Sequence, residues 1–182
     1  MFKEVTIKID YGVRDLCLSP YRGHSKGCPN FGKRESCPPQ CPIIECIINP
    51  ESSAYAIWNI FNLADHTERM QKIHPDWSNW QLTCCLYWQP KARKMLAIEI
   101  EKFRLIHPDF IIIKVPEATG INLTETMKRI GEILEWPPLT KTYQIAIAGK
   151  KQDICPHNWP KMIHSNSEVE CLNCNQIIGK KE

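Results

Sequence analysis

The sequence predicts an α/β protein with a small, partly parallel sheet and flanking helices, a long cysteine-rich metal loop near the N-terminus and a zinc-ribbon-like tail. Three observations lead to this fold. Short apolar runs rich in β-branched residues alternate with segments of helical periodicity between residues 51 and 149. Five cysteines fall within residues 11–50, and three more follow residue 150. We therefore expect an α/β domain over residues 1–149, with its cysteine loop at 11–50, and a separate tail over 150–182.

The composition and net charge are those of a folded globular protein and do not by themselves indicate a binding partner. The chain has 182 residues, of which 43% are hydrophobic and 24% charged, as is typical of a folded globular protein. Its formal net charge of +3 is too small to indicate a nucleic-acid or membrane surface by itself. No apolar run approaches the roughly 18 residues of a membrane span, and the N-terminus lacks the apolar core of a signal peptide. We expect a cytoplasmic protein without a membrane segment.

The first 50 residues predict a strand followed by an irregular loop. Val5, Ile7 and Ile9 lie on one face of the segment 1–10, and polar residues take the other face. Residues 11–50 contain too many Gly, Pro and Cys for a regular element to persist. A loop of this length inside a compact domain needs something besides packing to order it, and a bound metal would do so.

Two helices are predicted in the middle of the chain. From Glu51 onward, large apolar residues recur near helical spacing until His74-Pro75 ends the pattern. A second helix is expected over residues 90–106, with Pro90 in its first turn. The apolar residues that recur on one face of this second helix are Leu96, Ile100 and Phe103.

A strand–helix–strand unit is predicted after residue 109. Phe110 to Val115 form a continuous apolar run, which favours a strand buried on both faces of a parallel sheet. Asn122 and Glu125 resemble a capping box that opens a helix ending near Trp136. Residues 143–148 read as the next strand, so the crossover should be right-handed. The turn at residues 117–120 would then lie at the edge where open α/β sheets bind ligands, unless it is only structural.

The tail carries the ligand spacing of a structural zinc site. Cys155 and His157 are separated by one residue, and Cys171 and Cys174 by two. Two such turns complete a tetrahedral site and leave no position open for catalysis. The alternative is three unrelated thiols and a surface histidine. With zinc bound, the tail would serve as a docking module for nucleic acid or a protein partner.

The spacing in the cysteine loop differs from that of a zinc site. The cysteines of this loop are not spaced as the paired CxxC turns that bind zinc. Their spacing resembles that of cysteines that bind an iron–sulfur cluster from an irregular loop; they are Cys28, Cys37, Cys41 and Cys46, with Cys17 upstream. We predict Cys28, Cys37 and Cys41 as indispensable ligands, with Cys17 or Cys46 as a fourth, of a 4Fe-4S cluster. A zinc-stapled loop is the alternative, because spacing alone does not identify the metal.

Basic residues accompany these cysteines. They could stabilise an anionic cluster or bind an anionic substrate such as a nucleotide or RNA. The residues that we predict for substrate binding are Arg22, Lys26, Lys33 and Arg34.

Two motifs carry a resemblance to a known family. Cys28-Pro29-Asn30-Phe31-Gly32-Lys33 with Cys37-Pro38-Pro39 resembles the CPN(Y/F)GK…CPP signature of small, cysteine-rich, predicted metal-binding proteins of bacteria and archaea. The segment 117–122 is similar to that family's E-A-x-G-I-(D/N) segment. The resemblance implies iron–sulfur binding but no defined activity. It covers most of residues 1–149, with Ser25 where relatives often have a further cysteine, and the zinc-like tail is an addition.

These features lead to two functional hypotheses. The first is an iron–sulfur protein that uses its cluster in redox or sulfur chemistry on an anionic substrate, together with an electron-transfer partner. The second is a non-enzymatic zinc-binding module that contacts nucleic acid or a protein. Cys84-Cys85 lies in an apolar context and is expected to pack in the core. Hydrolase and nucleotide-binding motifs such as GxSxG, the P-loop and GxGxxG are absent from the sequence.

Overall fold

A four-stranded antiparallel sheet forms the centre of the structure, which is a computed structural model. The structure describes residues 1–21 and 24–152, and the backbone of residues 161–163, 168–171 and 177–180. The strands of the central sheet are β1 (Phe2–Glu4), β2 (Ala54–Asn62), β3 (Phe110–Ile113) and β4 (Lys141–Lys150). Their order across the sheet is β1-β2-β4-β3, and each neighbouring pair is antiparallel. The mixed α/β class is therefore confirmed.

The prediction of a partly parallel sheet is wrong. β3 and β4 are direct neighbours and run antiparallel, pairing Phe110 with Lys150 and Ile113 with Ile147. Because β2 and β3 are both antiparallel to β4, these two strands run in the same direction, with β4 between them. The arrangement is a split β-α-β unit, in which the helical crossover joins β2 to β3. An apolar run predicts a strand, but not its full burial, since residues 110–112 are only half-buried at the edge of the sheet. Nor does it predict the direction of the neighbouring strand.

The predicted helix from Glu51 is also wrong in its first half. Residues 54–62 form β2, the long strand beside β4, and α2 (Leu63–Ile73) begins only after it. Tyr55 and Ile57 pack on one face of the sheet, while Ala56 and Trp58 pack on the other. A strand buried on both faces is apolar at nearly every position, so large residues can recur at helical spacing by coincidence. The side chain of Asn62 accepts a hydrogen bond from the Asp65 backbone N–H at 3.1 Å and caps α2.

One face of the sheet is covered by a long helix. After the short helix α3 (Asn79–Leu82), α4 spans Cys85–Ile106, starting five residues earlier than predicted, with Pro90 inside it. The predicted apolar face of this helix is confirmed: Leu96, Ile100 and Phe103 are buried against Ile57, Ala146 and Ala148 of the sheet. Burying a large apolar side chain stabilises a fold by about 1.5–3 kcal/mol.

The opposite face of the sheet is covered by irregular segments. Ile44 and Ile48, at the end of the cysteine loop, are fully buried against it, beside Ile121 and Met127. Gly149 of β4 permits this approach, because a Cβ there would lie 2.4 Å from Ile48 Cδ1. The cysteine loop is thus anchored to the sheet at its C-terminal end.

The segment between β3 and β4 contains less helix than predicted. Asn122 caps α5 (Leu123–Lys128) by accepting from the Glu125 backbone N–H at 3.1 Å. The helix ends at Lys128 and does not continue toward Trp136, and Gly131 has a φ of 88°. The Asn122 backbone N–H donates to the Lys8 carbonyl at 2.8 Å, which replaces the second bond of the predicted capping box.

The N-terminal segment and the cysteine loop contain only short elements. The predicted N-terminal strand is regular only over β1, and Ile9 forms an isolated bridge with Ile121. Within the cysteine loop lies the one-turn helix α1 (Gly12–Asp15), and single 3-10 turns occupy residues 16–18 and 44–46. In the part of the chain that the structure describes, no helix is long and apolar enough to cross a membrane.

The tail contains a separate antiparallel sheet. Its strands are β5 (Lys161–Ile163), β6 (Glu168–Cys171) and β7 (Ile177–Lys180), in the order β5-β6-β7. Of the predicted zinc ligands, Cys155, His157 and Cys174 lie outside the described residues, as does the side chain of Cys171. The zinc site therefore stays a prediction.

Candidate functional site

Cys17 and Cys28 are brought together by a close crossing of two segments of the cysteine loop. The Cys28 backbone N–H donates to the Cys17 carbonyl at 2.7 Å, and the neighbouring Cys28 thiol raises the pKa of Cys17. Gly27 makes the crossing possible: its φ is +81°, and a Cβ there would lie 2.5 Å from the Cys17 carbonyl oxygen. Only glycine accommodates both this backbone conformation and this approach.

Cys37 and Cys41 lie on a single turn. The Cys41 backbone N–H donates to the Cys37 carbonyl at 2.9 Å. The Gly32 N–H donates to the Pro38 carbonyl, also at 2.9 Å, which joins this turn to the segment that follows Cys28. The two predicted motifs, CPNFGK and CPP, are therefore held against each other by a backbone hydrogen bond.

Electrostatic interactions connect the four thiols. Burial raises the pKa of Cys17, and the nearby thiols of Cys28 and Cys37 raise it further. Burial also raises the pKa of Cys41. The charge of Arg14 lowers this pKa, and the Cys37 thiol raises it. Cys37 is thus close enough to interact with both Cys17 and Cys41. Among the described residues, however, no three Cys, His, Asp or Glu side chains are placed to hold one metal ion.

Arg14 is the cationic group beneath these cysteines. Its Nη2 donates to the Cys41 carbonyl at 2.9 Å, while its Nη1 is buried and meets no acceptor among the described residues. A buried guanidinium nitrogen without an acceptor is energetically costly. The chemistry of this position therefore suits an added anionic acceptor.

Cys46 occupies a different environment. It is fully buried in the 3-10 turn at residues 44–46 and interacts with Tyr11. The Tyr11 hydroxyl is hydrogen-bonded to the Glu45 carboxylate, and burial together with this bond raises the pKa of Tyr11. Cys46 thus belongs to the packed base of the loop.

The predicted substrate-binding residues fall in two places. Lys26 and Lys33 line a recess of about 430 Å³ beside Cys28, together with His24. We call it the basic recess. Arg34 instead lines a larger cleft elsewhere, and Arg22 lies outside the described residues. The structure therefore brings two of the four predicted residues together with a predicted ligand.

The adjacent pair Cys84-Cys85 does not pack in the core, so that prediction is wrong. Cys84 is half-buried, and Cys85 is exposed at the start of α4. Partial desolvation raises the pKa of Tyr21, and the thiols of Cys28, Cys85 and Cys17 raise it further. The start of α4 therefore lies near the cysteine loop, a proximity that no local sequence signal marks.

The turn after β3 is a structural turn, which was one of the two predicted alternatives. It also packs against the start of the cysteine loop. Residues 116–119 form a 3-10 turn ending at Gly120, whose φ is 94°. A Cβ at Gly120 would lie 2.6 Å from the Tyr11 ring, so the turn packs directly against the start of the cysteine loop. Glu117 interacts electrostatically with Cys17 and also lines the larger cleft.

Comparisons of the chain with protein-family models, curated proteins and solved structures gave no match.

Proposed function

We propose that the cysteine loop holds an iron–sulfur cluster through Cys17, Cys28, Cys37 and Cys41 and uses it in redox or sulfur chemistry on an anionic substrate. The observation that carries the proposal is the pairwise approach of these cysteines, Cys17 to Cys28 and Cys37 to Cys41, within an otherwise irregular loop. Core packing alone does not require such an arrangement of thiols.

The spacing of the cysteines along the chain favours a cluster over a zinc ion, because Cys28, Cys37 and Cys41 do not form paired CxxC turns. The Cys37 thiol also influences the pKa of both Cys17 and Cys41. In a cluster each thiolate binds a different iron, so the ligands surround a bulky group and do not converge on one atom. The resemblance to the CPN(Y/F)GK…CPP family supports Cys28 and Cys37, which lie in its motif.

Arg14 and Cys46 support the choice of these four residues. The buried Arg14 Nη1, which has no acceptor among the described residues, would donate to a thiolate or sulfide. Cys17 is preferred to Cys46 as the fourth ligand because its carbonyl accepts from the Cys28 backbone N–H at 2.7 Å, whereas Cys46 lies in the packed base of the loop.

The basic recess supports an anionic substrate. Lys26 and Lys33 would neutralise a phosphate or carboxylate held there, and Cys28 lines the same recess. A substrate in the recess would therefore lie next to a cluster ligand. When bound through all four thiolates, the cluster would supply electron transfer.

The test is purification of the full chain without oxygen, followed by analysis of metal and acid-labile sulfide. We expect a brown protein with iron and sulfide in similar amounts, and additional zinc bound by the tail. The Cys37→Ser variant should lose the visible absorption because Cys37 is the central thiol. The Cys84→Ser variant is the matched control and should keep it.

Two outcomes would overturn the proposal. One is a colourless protein whose cysteine loop binds zinc, which would support a non-enzymatic zinc module. The other is a Cys37→Ser variant that folds, as judged by circular dichroism, and retains iron and sulfide at the level of the unsubstituted chain.

A further inference from the structure

A cleft of about 530 Å³ lies beside the free edge of β4. β3 pairs with β4 only over residues 147–150, so within the described part of the chain no strand lies beside residues 141–146 on that side. After Ile113 the chain turns away into the 3-10 turn at 116–119, leaving a gap between α4 and residues 134–138. We call this gap the edge cleft. It shares no lining residue with the basic recess.

Four basic side chains from four different segments line the edge cleft. They are Arg34 of the cysteine loop, Arg93 of α4, Lys114 after β3 and Lys141 at the start of β4. Within the described residues, none of the four forms an ion pair. Basic groups that outnumber the carboxylates of a concave site produce a positive potential that attracts an anion.

The acidic side chains in the cleft do not cancel this charge. Glu117 and Glu135 both line it, so four cations and two carboxylates leave a formal charge of +2. Glu135 is occupied within its own loop, because its Oε2 accepts from the backbone N–H groups of Leu139, Thr140 and Lys141 at 3.0, 2.9 and 3.1 Å. A phosphate monoester, with about −1.5 to −2 charges near pH 7, matches this excess better than a single carboxylate does.

The remaining lining suits a flat, apolar group. Trp136 is 69% exposed, and its indole N–H donates to Thr124 Oγ1 at 3.2 Å, which fixes the edge of the ring. Tyr143 is fixed in a similar way, since its hydroxyl donates to Glu132 at 2.9 Å. Apolar side chains of Leu96, Leu134 and Ile145 complete this part of the wall. An aromatic ring of a ligand would gain about 0.5–1.5 kcal/mol from such ring contacts beyond its burial.

From these observations we propose that the edge cleft binds a nucleoside monophosphate. Its phosphate would neutralise the basic side chains, and its base would pack on the aromatic and apolar lining. The side-chain amides of Gln89 and Gln144 also line the cleft and offer donors and acceptors for the polar edge of a base. The volume lies within the usual range of about 300–1,000 Å³ for small-molecule sites. No nucleotide-binding motif marks the site, because its residues come from distant segments.

The experiment is isothermal titration of the full chain with AMP and with UMP. Adenosine and inorganic phosphate are titrated separately, because each represents one half of the nucleotide. We expect saturable binding of at least one nucleotide, and binding of each half at least about tenfold weaker, because the charge and the ring contribute separately.

Substitutions separate the two parts of the site. Arg93→Gln and Lys141→Gln should each weaken nucleotide binding about tenfold, a loss of about 1.4 kcal/mol. Lys94→Gln is the matched control, since Lys94 is exposed on α4 next to Arg93 but does not line the cleft. Trp136→Ala should weaken binding while Trp136→Phe retains it. Thermal melts monitor folding of every variant.

Three results would overturn the proposal: no saturable binding of either nucleotide at about 1 mM, phosphate binding as tightly as the nucleotide, or equal losses in the Lys94→Gln and Arg93→Gln variants. The proposal does not depend on the cluster. A colourless protein that binds AMP would overturn only the iron–sulfur proposal, and a brown protein that binds neither nucleotide would overturn only this one.

Discussion

At the scale of single residues, Gly27 occupies a tightly constrained position in the cysteine loop. Its backbone has a positive φ, and the space where a side chain would project is filled by the backbone of Cys17 and Leu18. The contact between Cys17 and Cys28 therefore depends on the absence of a Cβ one residue before Cys28. The motif CPN(Y/F)GK begins one residue after Gly27. The motif alone therefore does not show that position 27 must be a glycine.

We expect Gly27→Ala to destabilise the protein by at least about 1–2 kcal/mol, from the left-handed backbone alone, and to lower its iron content through the additional clash. Gly32→Ala is the matched control, because Gly32 also has a positive φ but nothing lies within 4 Å of its Cβ position. Urea denaturation and metal analysis measure the two effects. Equal losses of stability and iron in both variants would contradict the role given to the close approach at Gly27.

His66 is a second residue whose surroundings matter, because they lower its pKa. It is 4% exposed in α2, packs near the Phe61 ring and contacts Arg69 through Nδ1. Burial lowers the pKa of His66 below the ordinary value of 6.5, and the charges of Arg69 and Lys91 lower it further. The folded state therefore binds a proton on His66 less readily than the unfolded state does.

The stabilisation due to neutral His66 should be complete above pH 6.5 and be lost as the pH falls from there through the lower pKa of the folded state. A His66→Gln variant, which stays neutral, should lose less stability across this range. Thermal melts of both proteins between about pH 7.5 and 5 provide the measurement. Parallel curves for the two proteins would show that His66 does not contribute to the acid sensitivity.

At the scale of elements, the different lengths of β3 and β4 create the edge cleft. The loop that leads into β4 is organised by Glu135, whose carboxylate accepts backbone N–H bonds from Leu139, Thr140 and Lys141. These bonds lower the pKa of Glu135 from 4.5 to about 2. The carboxylate therefore holds residues 135–141 in the conformation that starts the strand.

Glu135→Gln should lower the melting temperature at neutral pH, because the amide is a weaker acceptor for three N–H groups. The contribution of the ionised carboxylate is complete above pH 4.5 and is lost as the pH falls through about 2. The difference in melting temperature between the variant and the unsubstituted chain should therefore shrink at acidic pH. A difference that stays constant down to about pH 2 would show that the charge is not responsible.

At the scale of the whole molecule, the last strand of the central sheet leads directly to the base of the cysteine loop. Ile48 forms a bridge with Lys151, and the Gln152 backbone N–H donates to the Ile47 carbonyl at 3.1 Å. These contacts fix the end of the cysteine loop to the sheet. We therefore expect the α/β domain to extend to Gln152 and the tail to begin after it.

Truncation after Gln152 should remove one bound zinc per chain and leave the visible absorption and the folded α/β domain intact, since a structural zinc stabilises chiefly the turns that it joins. Truncation after Gly149 is the contrasting variant, because it also removes the bonds to Ile47 and Ile48. It should lower the melting temperature. A chain ending at Gln152 that unfolds or loses iron would show that the tail and the α/β domain are interdependent.

Local patterns predicted those elements whose periodicity is unambiguous. They include the apolar stripe of Leu96, Ile100 and Phe103 and the N-cap at Asn122. They also include the strands predicted over residues 110–115 and 143–148, which the structure places at 110–113 and 141–150. The segment 54–62 differs from its prediction because a strand buried on both faces has no alternation of apolar and polar residues to identify it. Its apolar spacing is therefore compatible with a helix as well as a strand.

The mixed α/β class and the clustering of cysteines along the chain can be read from the sequence, because hydrophobic periodicity and cysteine positions are local properties. The tertiary structure adds that the strands are antiparallel, that Cys17 meets Cys28 and interacts with Cys37, and that Cys85 lies near the cysteine loop. It alone also brought Arg34 and Lys141 into one cleft. Strand direction and long-range contacts result from packing among segments far apart in the chain, and no local pattern encodes them.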